Sequence, residues 1–266
     1  MFDTDAYLKR LGYTGPTAPT VELLRELHKR HLMAIPFDNA LNSARGLDIW
    51  EQVDIDVDAI FDAVVTGRRG GVCHEIGGLF RNLLVRLGFD VQIMAAGVRM
   101  ANGFYGPELE HMFTVVTLDG QRWIADVGFA GPSFTEPLRF APGVQEIGGA
   151  SYELVPDGPS PDGPGAGGTA WILHRRPAGG QWQPIYRFPE RVRELPEWKG
   201  EPNLRAYAAE LTRAETLIRG RATEDGQLTL IGRRFTRVVD GADTVKVIVD
   251  ATEYAAAVDQ ILTPGI

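Results

Sequence analysis

Apolar residues recur at helical spacing as far as Gly88 and at strand spacing from Phe89 onward, and this change of period governs what the chain can build. Val21, Leu23, Leu24, Leu27 and Leu32 follow a candidate cap at Thr20. Ile35-Pro36 ends that run, because a residue before proline is driven out of helical geometry. Val57, Ile60, Phe61, Val64 and Val65 predict a second helix, closed by Gly67. Ile76, Leu79, Phe80, Leu83, Leu84 and Leu87 form one apolar stripe, with Gly88 placed to close a third helix.

Past Phe89 the pattern predicts strands at 91–98, 111–118 and 121–127, the last two joined by Asp119-Gly120, a strong type I′ hairpin signal. Further strands are expected at 152–155, 170–174 and 182–186. Residues 156–168 are rich in Pro and Gly and read as a long loop. The tail predicts a helix at 204–217, strands at 228–231, 235–239 and 245–249, and a last helix at 251–261. Helices, then strands, then a mixed tail make an α+β chain, not an alternating βαβ one. The expected division is a helical part at 1–88, a β part at 89–195 and an α/β part at 196–266.

The formal net charge of −8 argues against a nucleic-acid partner, since acidic chains repel phosphate backbones. No apolar run approaches the roughly 18 residues of a membrane span. The start, Met1-Phe2-Asp3-Thr4-Asp5, is acidic and lacks the apolar core of a signal peptide, so a cytoplasmic protein is expected. The single cysteine, Cys73, permits no internal disulfide and suits a reducing compartment. No clustered metal-ligand spacing, P-loop or nucleophile elbow is present, so no metal is expected.

A lone cysteine is ordinarily a small core residue. Cys73, however, follows Gly70 and Gly71 at the start of the third helix, where the helix dipole favours a thiolate. Arg68 and Arg69 add nearby positive charge or are simply solvated. A thiolate nucleophile calls for a histidine, itself oriented by an acid. His28 and His31 read as surface residues of the first long helix, and His174 has no acid in a pairing position. His74 is adjacent to Cys73, but neighbours on a helix point about 100° apart. His111 remains. A two-residue turn at Asp119-Gly120 sets Leu118 opposite Gln121 and Phe113 opposite Asp126, so His111 and Asp126 share a face as diagonal neighbours. A slip of one residue would separate them. Separately, Asp126 reads as a turn residue before Val127-Gly128, and His111 as a strand-start surface residue.

Three motifs carry a resemblance. Arg69-Gly70-Gly71-Val72-Cys73-His74-Glu75-Ile76-Gly77, Glu110-His111-Met112 and Asp126-Val127-Gly128-Phe129 resemble the signature of the arylamine N-acetyltransferase family, as does Ile35-Pro36-Phe37-Asp38-Asn39. The match runs from Tyr7 to about Phe188. The family implies a helical bundle, a central antiparallel β-barrel and a C-terminal α/β lid, with a papain-like triad of Cys73, His111 and Asp126. It implies ping-pong chemistry through an acyl-cysteine, with the Cys73 N–H as oxyanion donor. No cofactor is bound; the co-substrate is an acyl thioester. Phe37, Phe104, Tyr105 and Phe129 then become candidates to line an acyl or aryl pocket, or else remain ordinary core aromatics.

The sequence departs from that signature at His74, where Tyr or Phe is usual and which either tunes the site or simply faces solvent, and at Gly77, where Asn is usual. Leu109-Glu110-His111-Met112-Phe113 and the run from Gly128 to Phe134 resemble one branch, the ansamycin amide synthases of actinobacteria. That branch implies a polyketide thioester on an acyl carrier protein, closed to a macrolactam by its own aryl amine. The alternatives are an arylamine N-acetyltransferase using acetyl-CoA, and a papain-like hydrolase.

Overall fold

The computed structural model describes residues 1–40, 56–159, 168–198 and 216–263. The helices precede the large sheet, as the change of period requires. α1 (Thr4–Arg10) is capped by Asp3 on the Ala6 N–H, and α2 (Val21–Ala34) by Thr20 on the Leu23 N–H. α2 stops at Ile35, which is already extended ahead of Pro36. α3 (Val57–Phe61), capped by Asp56, runs on into a π-helical turn at Asp62–Thr66. Gly67 ends it without a left-handed φ: its N–H bonds back to the Asp62 carbonyl, and a Cβ there would sit 2.8 Å from the Ala63 oxygen. Crowding, not conformational freedom, requires glycine at this position.

α4 (Cys73–Arg86) buries Ile76, Leu79, Phe80, Leu83 and Leu84 completely, against Leu24, Leu27, Phe61 and Val64. Gly88 closes it at φ +87°, with the Phe89 N–H on the Leu84 carbonyl.

β2 (Asp90–Val98), β3 (His111–Leu118) and β4 (Gln121–Ala125) begin an antiparallel sheet. β5 (Leu138–Arg139), β6 (Gly143–Ile147), β7 (Ala150–Pro159), β8 (Thr169–Arg176) and β9 (Gln183–Pro189) complete it. The order is β5-β4-β3-β2-β9-β8-β7-β6, a nearly closed barrel around Met94, Phe113, Val115, Tyr152, Tyr186 and Phe188. The predicted hairpin register holds: Leu118 pairs with Gln121 and Thr114 with Ala125, across a turn with Asp119 and Gly120 both at positive φ. β6 was not expected, although Gly148-Gly149, both at positive φ, makes a two-residue hairpin of it with β7. Residues 156–159, expected to start a loop, extend β7 through a register shift against β8; 160–167 lie outside the described residues.

The second sheet runs β1-β10-β11-β12-β13, with β1 at Phe37–Asp38, β10 at Ile218–Thr223, β11 at Gly226–Ile231, β12 at Arg234–Val239 and β13 at Ala242–Val247. α5 (Ala251–Leu262), capped by Asp250, packs Ala257 and Ile261 against Leu228, Leu230 and Phe235. β1 pairs Phe37 with Gly220 and Asp38 with Arg219, so the segment after α2 belongs to the C-terminal sheet. The predicted helix at 204–217 lies outside the described residues except for 216–217. Among the described residues no helix is long and apolar enough to cross a membrane.

Candidate active site

Cys73 is the first residue of α4, and the loop before it is pinned to the segment after α2. The Gly71 N–H bonds the Pro36 carbonyl and the Asp38 N–H bonds the Gly71 carbonyl, at 3.2 and 3.0 Å. The approach is close: a Cβ on Gly70 would lie 2.7 Å from the Pro36 oxygen, and one on Gly71 2.8 Å from Ile76 Cγ2. Glu75 braces the turn, accepting from the Val72 N–H at 3.1 Å and from Arg69 at 2.6 Å. Arg69 therefore spends its charge on Glu75, and exposed Arg68 takes a left-handed φ of 55°. From the other side Gly128 lies flat on the sulfur residue: a Cβ there would stand 2.9 Å from both Cys73 Cα and Cβ.

His111 opens β3 and Asp126 follows the end of β4, both fully enclosed. His111 Nε2 lies 2.8 Å from Asp126 Oδ2, while Oδ1 accepts the Gly128 N–H at 3.0 Å. Asp126 is thus both turn residue and histidine partner, one oxygen for each. With Nε2 so engaged, Nδ1 is the ring nitrogen left to hydrogen-bond the Cys73 sulfur. The ring is walled in by Phe113, Phe129 and Tyr186, at centroid distances of 6.2, 5.7 and 5.5 Å.

Two expectations are corrected. His28 and His31 are fully buried, not on the surface. His28 Nε2 lies 3.1 Å from the Asp126 carbonyl and Nδ1 3.0 Å from the Thr135 carbonyl, which ties α2 to the end of β4. His31 Nδ1 meets the Tyr7 hydroxyl at 3.0 Å. The spacing carried the sign: His28 and His31 fall with Leu24, Leu27 and Leu32 on one helix face, and only their polar type suggested the surface. His74 does not face solvent. It is 6% exposed, and its Nδ1 stands 3.3 Å from Cys73 Sγ. The 100° offset describes where side chains leave the axis. At a first turn no preceding turn fills the space toward the N-terminus, and the ring curls back into it.

The electrostatics follow. Burial by itself pushes the Cys73 thiol up. The charge of His74 and hydrogen bonds from His111 and His74 outweigh it and bring the pKa down to about 5. Burial disfavours the His111 cation, but Asp126 and the sulfur raise it to about 10. The pair rests as thiolate and imidazolium. Tyr186 stands behind it; burial first, then the Asp126 charge, hold its hydroxyl well above the ordinary tyrosine range.

Phe37 and Phe129 line one pocket together with Leu32, Ile35 and Val127. Phe104 is 71% exposed and Tyr105 lies under the Arg99 guanidinium at 5.3 Å, so these two are not gathered with the first pair. His28, His74, Gly128 and Tyr186 are site residues that sequence reasoning missed. The Asp-Val-Gly-Phe motif flagged Gly128 only as spelling; helical spacing from Leu24 marked His28 and alternation with Phe188 marked Tyr186 as inward-facing, and His74 carried no such signal.

A buried thiolate, an imidazolium and an orienting carboxylate, in papain-like arrangement, are equipped for acyl transfer through a thioester. Comparison with known proteins agrees. The sequence profile of the N-acetyltransferase family matches residues 20–263. Proansamycin X synthase of Amycolatopsis mediterranei (strain S699) is 36% identical over 266 residues, covering 99% of this chain and 98% of its own length. An arylamine N-acetyltransferase / N-hydroxyarylamine O-acetyltransferase of Salmonella typhimurium is 32% identical over 245 residues, 89% of this chain and 79% of that one. The structure of Mycobacterium marinum arylamine N-acetyltransferase in complex with CoA superposes with a TM-score of 0.73 at 27% identity, covering 98% of this chain and 93% of that one. Similar to these proteins along almost its whole length and sharing their fold, this chain belongs to the arylamine N-acetyltransferase family and is an N-acyltransferase.

Proposed function

We propose that the enzyme forms an amide by moving an acyl group from a carrier-bound polyketide thioester to an aryl amine on the same chain, releasing a macrolactam. Cys73 thiolate attacks the thioester carbon and the donor leaves as a thiol, taking the His111 proton. Neutral His111 then takes a proton from the attacking amine while Asp126 holds the ring and its returning charge. The Cys73 N–H, at a helix start with no intrahelical acceptor, supplies an oxyanion donor. Phe129, its ring 5.7 Å from that of His111, is the aromatic placed to meet the acyl or aryl group, while the small cavity it shares with Phe37 has no room for one. The helical part at 1–88 supplies the sulfur, the β part at 89–195 the imidazole and carboxylate, and β10 and β11 line the cavity beside Phe129.

One observation carries the chemistry: His111, held at 2.8 Å by Asp126, is drawn to the charge of a sulfur at the start of α4. The choice of branch is supported by likeness to proansamycin X synthase along almost the whole of both chains. A second reading, acetyl transfer from acetyl-CoA to free arylamines, is supported by the likeness to the Salmonella and M. marinum enzymes.

The test is intact-protein mass spectrometry with two donors, an acyl carrier protein loaded with an aryl-amine polyketide mimic and acetyl-CoA. The expected result is an adduct on Cys73, absent in Cys73→Ala, formed at least tenfold faster from the carrier and resolved by amine rather than water. Ordinary turnover of small arylamines with acetyl-CoA would transfer the assignment to the second reading. Release of free acid without amine would make it a hydrolase.

A further inference from the structure

Cys73 is approached by imidazoles from two elements. His111 comes from the start of β3; His74 comes from α4 itself, its Nδ1 3.3 Å from Sγ. The family signature has a tyrosine or phenylalanine at this position, and a phenyl ring would fill the same buried space without the cost of desolvating an imidazole. What the imidazole adds is an N–H at the sulfur.

The second half-reaction gives that N–H a task. To accept a proton from the amine, His111 has to be neutral, and a neutral ring is a poor partner for the charge that grows on Cys73 as the carbon–sulfur bond breaks. Charge on a buried sulfur is expensive unless a donor is already in place. One imidazole serves the two needs only in succession; two serve them at once.

We propose that His74 is a second catalytic imidazole, holding its Nδ1–H on the Cys73 sulfur through both half-reactions while His111 carries the moving proton. The proposal rests on Cys73 being the nucleophile. In the first half-reaction the Cys73 sulfur bonds to the acyl carbon and the donor carbon–sulfur bond breaks. The donor thiolate then takes the proton of His111. In the second, the amine nitrogen bonds to the acyl carbon and passes one proton to His111, and the Cys73 carbon–sulfur bond breaks to regenerate the thiolate. His74 keeps its proton throughout.

The neighbouring titratable groups leave this role to His74. Glu75, on the same helix, is held by Arg69 and the Val72 N–H. The Glu110 carboxylate accepts the Val98 N–H at 3.0 Å and presents only its backbone carbonyl to the sulfur, at 3.8 Å. Asp126 and Tyr186 act on His111 from behind.

The experiment measures the rate of Cys73 alkylation by iodoacetamide against pH in the full chain, which needs no acyl donor. The variants are His74→Phe, His74→Asn, His111→Ala and the double variant His74→Phe/His111→Ala, each checked by circular dichroism and thermal melt. His74→Phe is expected to raise the thiol midpoint by about one unit, so that alkylation slows about tenfold at pH 4, below both midpoints, and only about twofold at pH 6. His74→Asn, which keeps an N–H near the same point, recovers part of the rate. His111→Ala stays measurably faster than the double variant. If the His74→Phe and His74→Asn profiles both superimpose on the wild type, or His111→Ala is as slow as the double variant, the proposal is overturned. Should His74→Phe fail to fold, the comparison of His74→Asn with wild type decides. Failure here leaves the acyl-transfer reading intact. Failure of every thioester to label Cys73 removes that reading whatever the alkylation profile shows.

Discussion

The Cys73–His111 couple makes its first prediction through the two limbs of a pH profile. The sulfur must be deprotonated to attack, and its pKa lies near about 5, so acylation rises as pH passes upward through that value. The imidazolium must be protonated to supply the departing donor, and its pKa lies near about 10, so the alkaline limb falls there. Between them the single-turnover acylation rate is expected to be flat. Asp126→Asn tests the source of the alkaline limb. Asparagine can still accept the Gly128 N–H through its oxygen, but it offers no charge to His111 and turns an amide toward it. The expected outcome is a loss of about 10²- to 10⁴-fold in kcat, an alkaline limb moved to lower pH, and a lower melting temperature, because the enclosed imidazolium loses its counter-charge. Of these residues the triad itself was legible in the sequence, because a helix start, a hairpin turn and a period of two are local rules. His74 was not, because a rule about where side chains leave a helix says nothing of where a long ring ends.

At the scale of elements, the site is set by how closely backbones pass. Gly128 touches Cys73 Cα and Cβ, and neither end of that contact is a flexible side chain. Gly128→Ala is expected to lower stability by about 1–3 kcal/mol and to cut activity more than stability, because the sulfur itself has to move. Gly77 offers the contrast. It sits inside α4, where a new Cβ would meet only Met112, at 3.6 Å, an ordinary contact. Gly77→Ala is expected to raise the melting temperature, since glycine in a helix interior costs about 0.5–1 kcal/mol relative to alanine. A thermal melt of the two variants side by side checks both. The hairpin of β3 and β4 follows from its turn and its alternation. β10 is less legible: Ile218, Gly220 and Ala222 alternate with Arg219, Arg221 and Thr223, but only Ile218 is large, and the segment becomes a strand by pairing with β1 and β11.

At the scale of the whole molecule, the two sheets are joined at a few points. Arg175 of β8 is enclosed and binds Asp243 of β13 through two hydrogen bonds, 2.8 and 2.6 Å. The Gly148-Gly149 turn meets the Asp240-Gly241 turn so tightly that a Cβ on Gly149 would lie 2.2 Å from the Asp240 carbonyl oxygen. Within the second sheet, Asp38 of β1 pairs with Arg219 of β10 at 3.2 Å. Asp243→Asn should lower stability by about 1–2 kcal/mol, because it leaves an enclosed guanidinium short of its counter-charge. Glu136→Gln breaks only the exposed 4.0 Å pair with Arg25 and should leave the melt unchanged. Equal shifts in the two variants would remove the buried tie as a source of stability. The sequence by itself determined the early helices, the β3–β4 hairpin register and the nearness of His111 to Asp126, since these depend on period, caps and turns acting over a few residues. Only the tertiary structure decided that Phe37 joins a strand far along the chain, that His28 and His31 lie inside, and that His74 bends to the sulfur. Those outcomes depend on which surfaces exclude water together, and that is a property of contacts between segments distant in the chain.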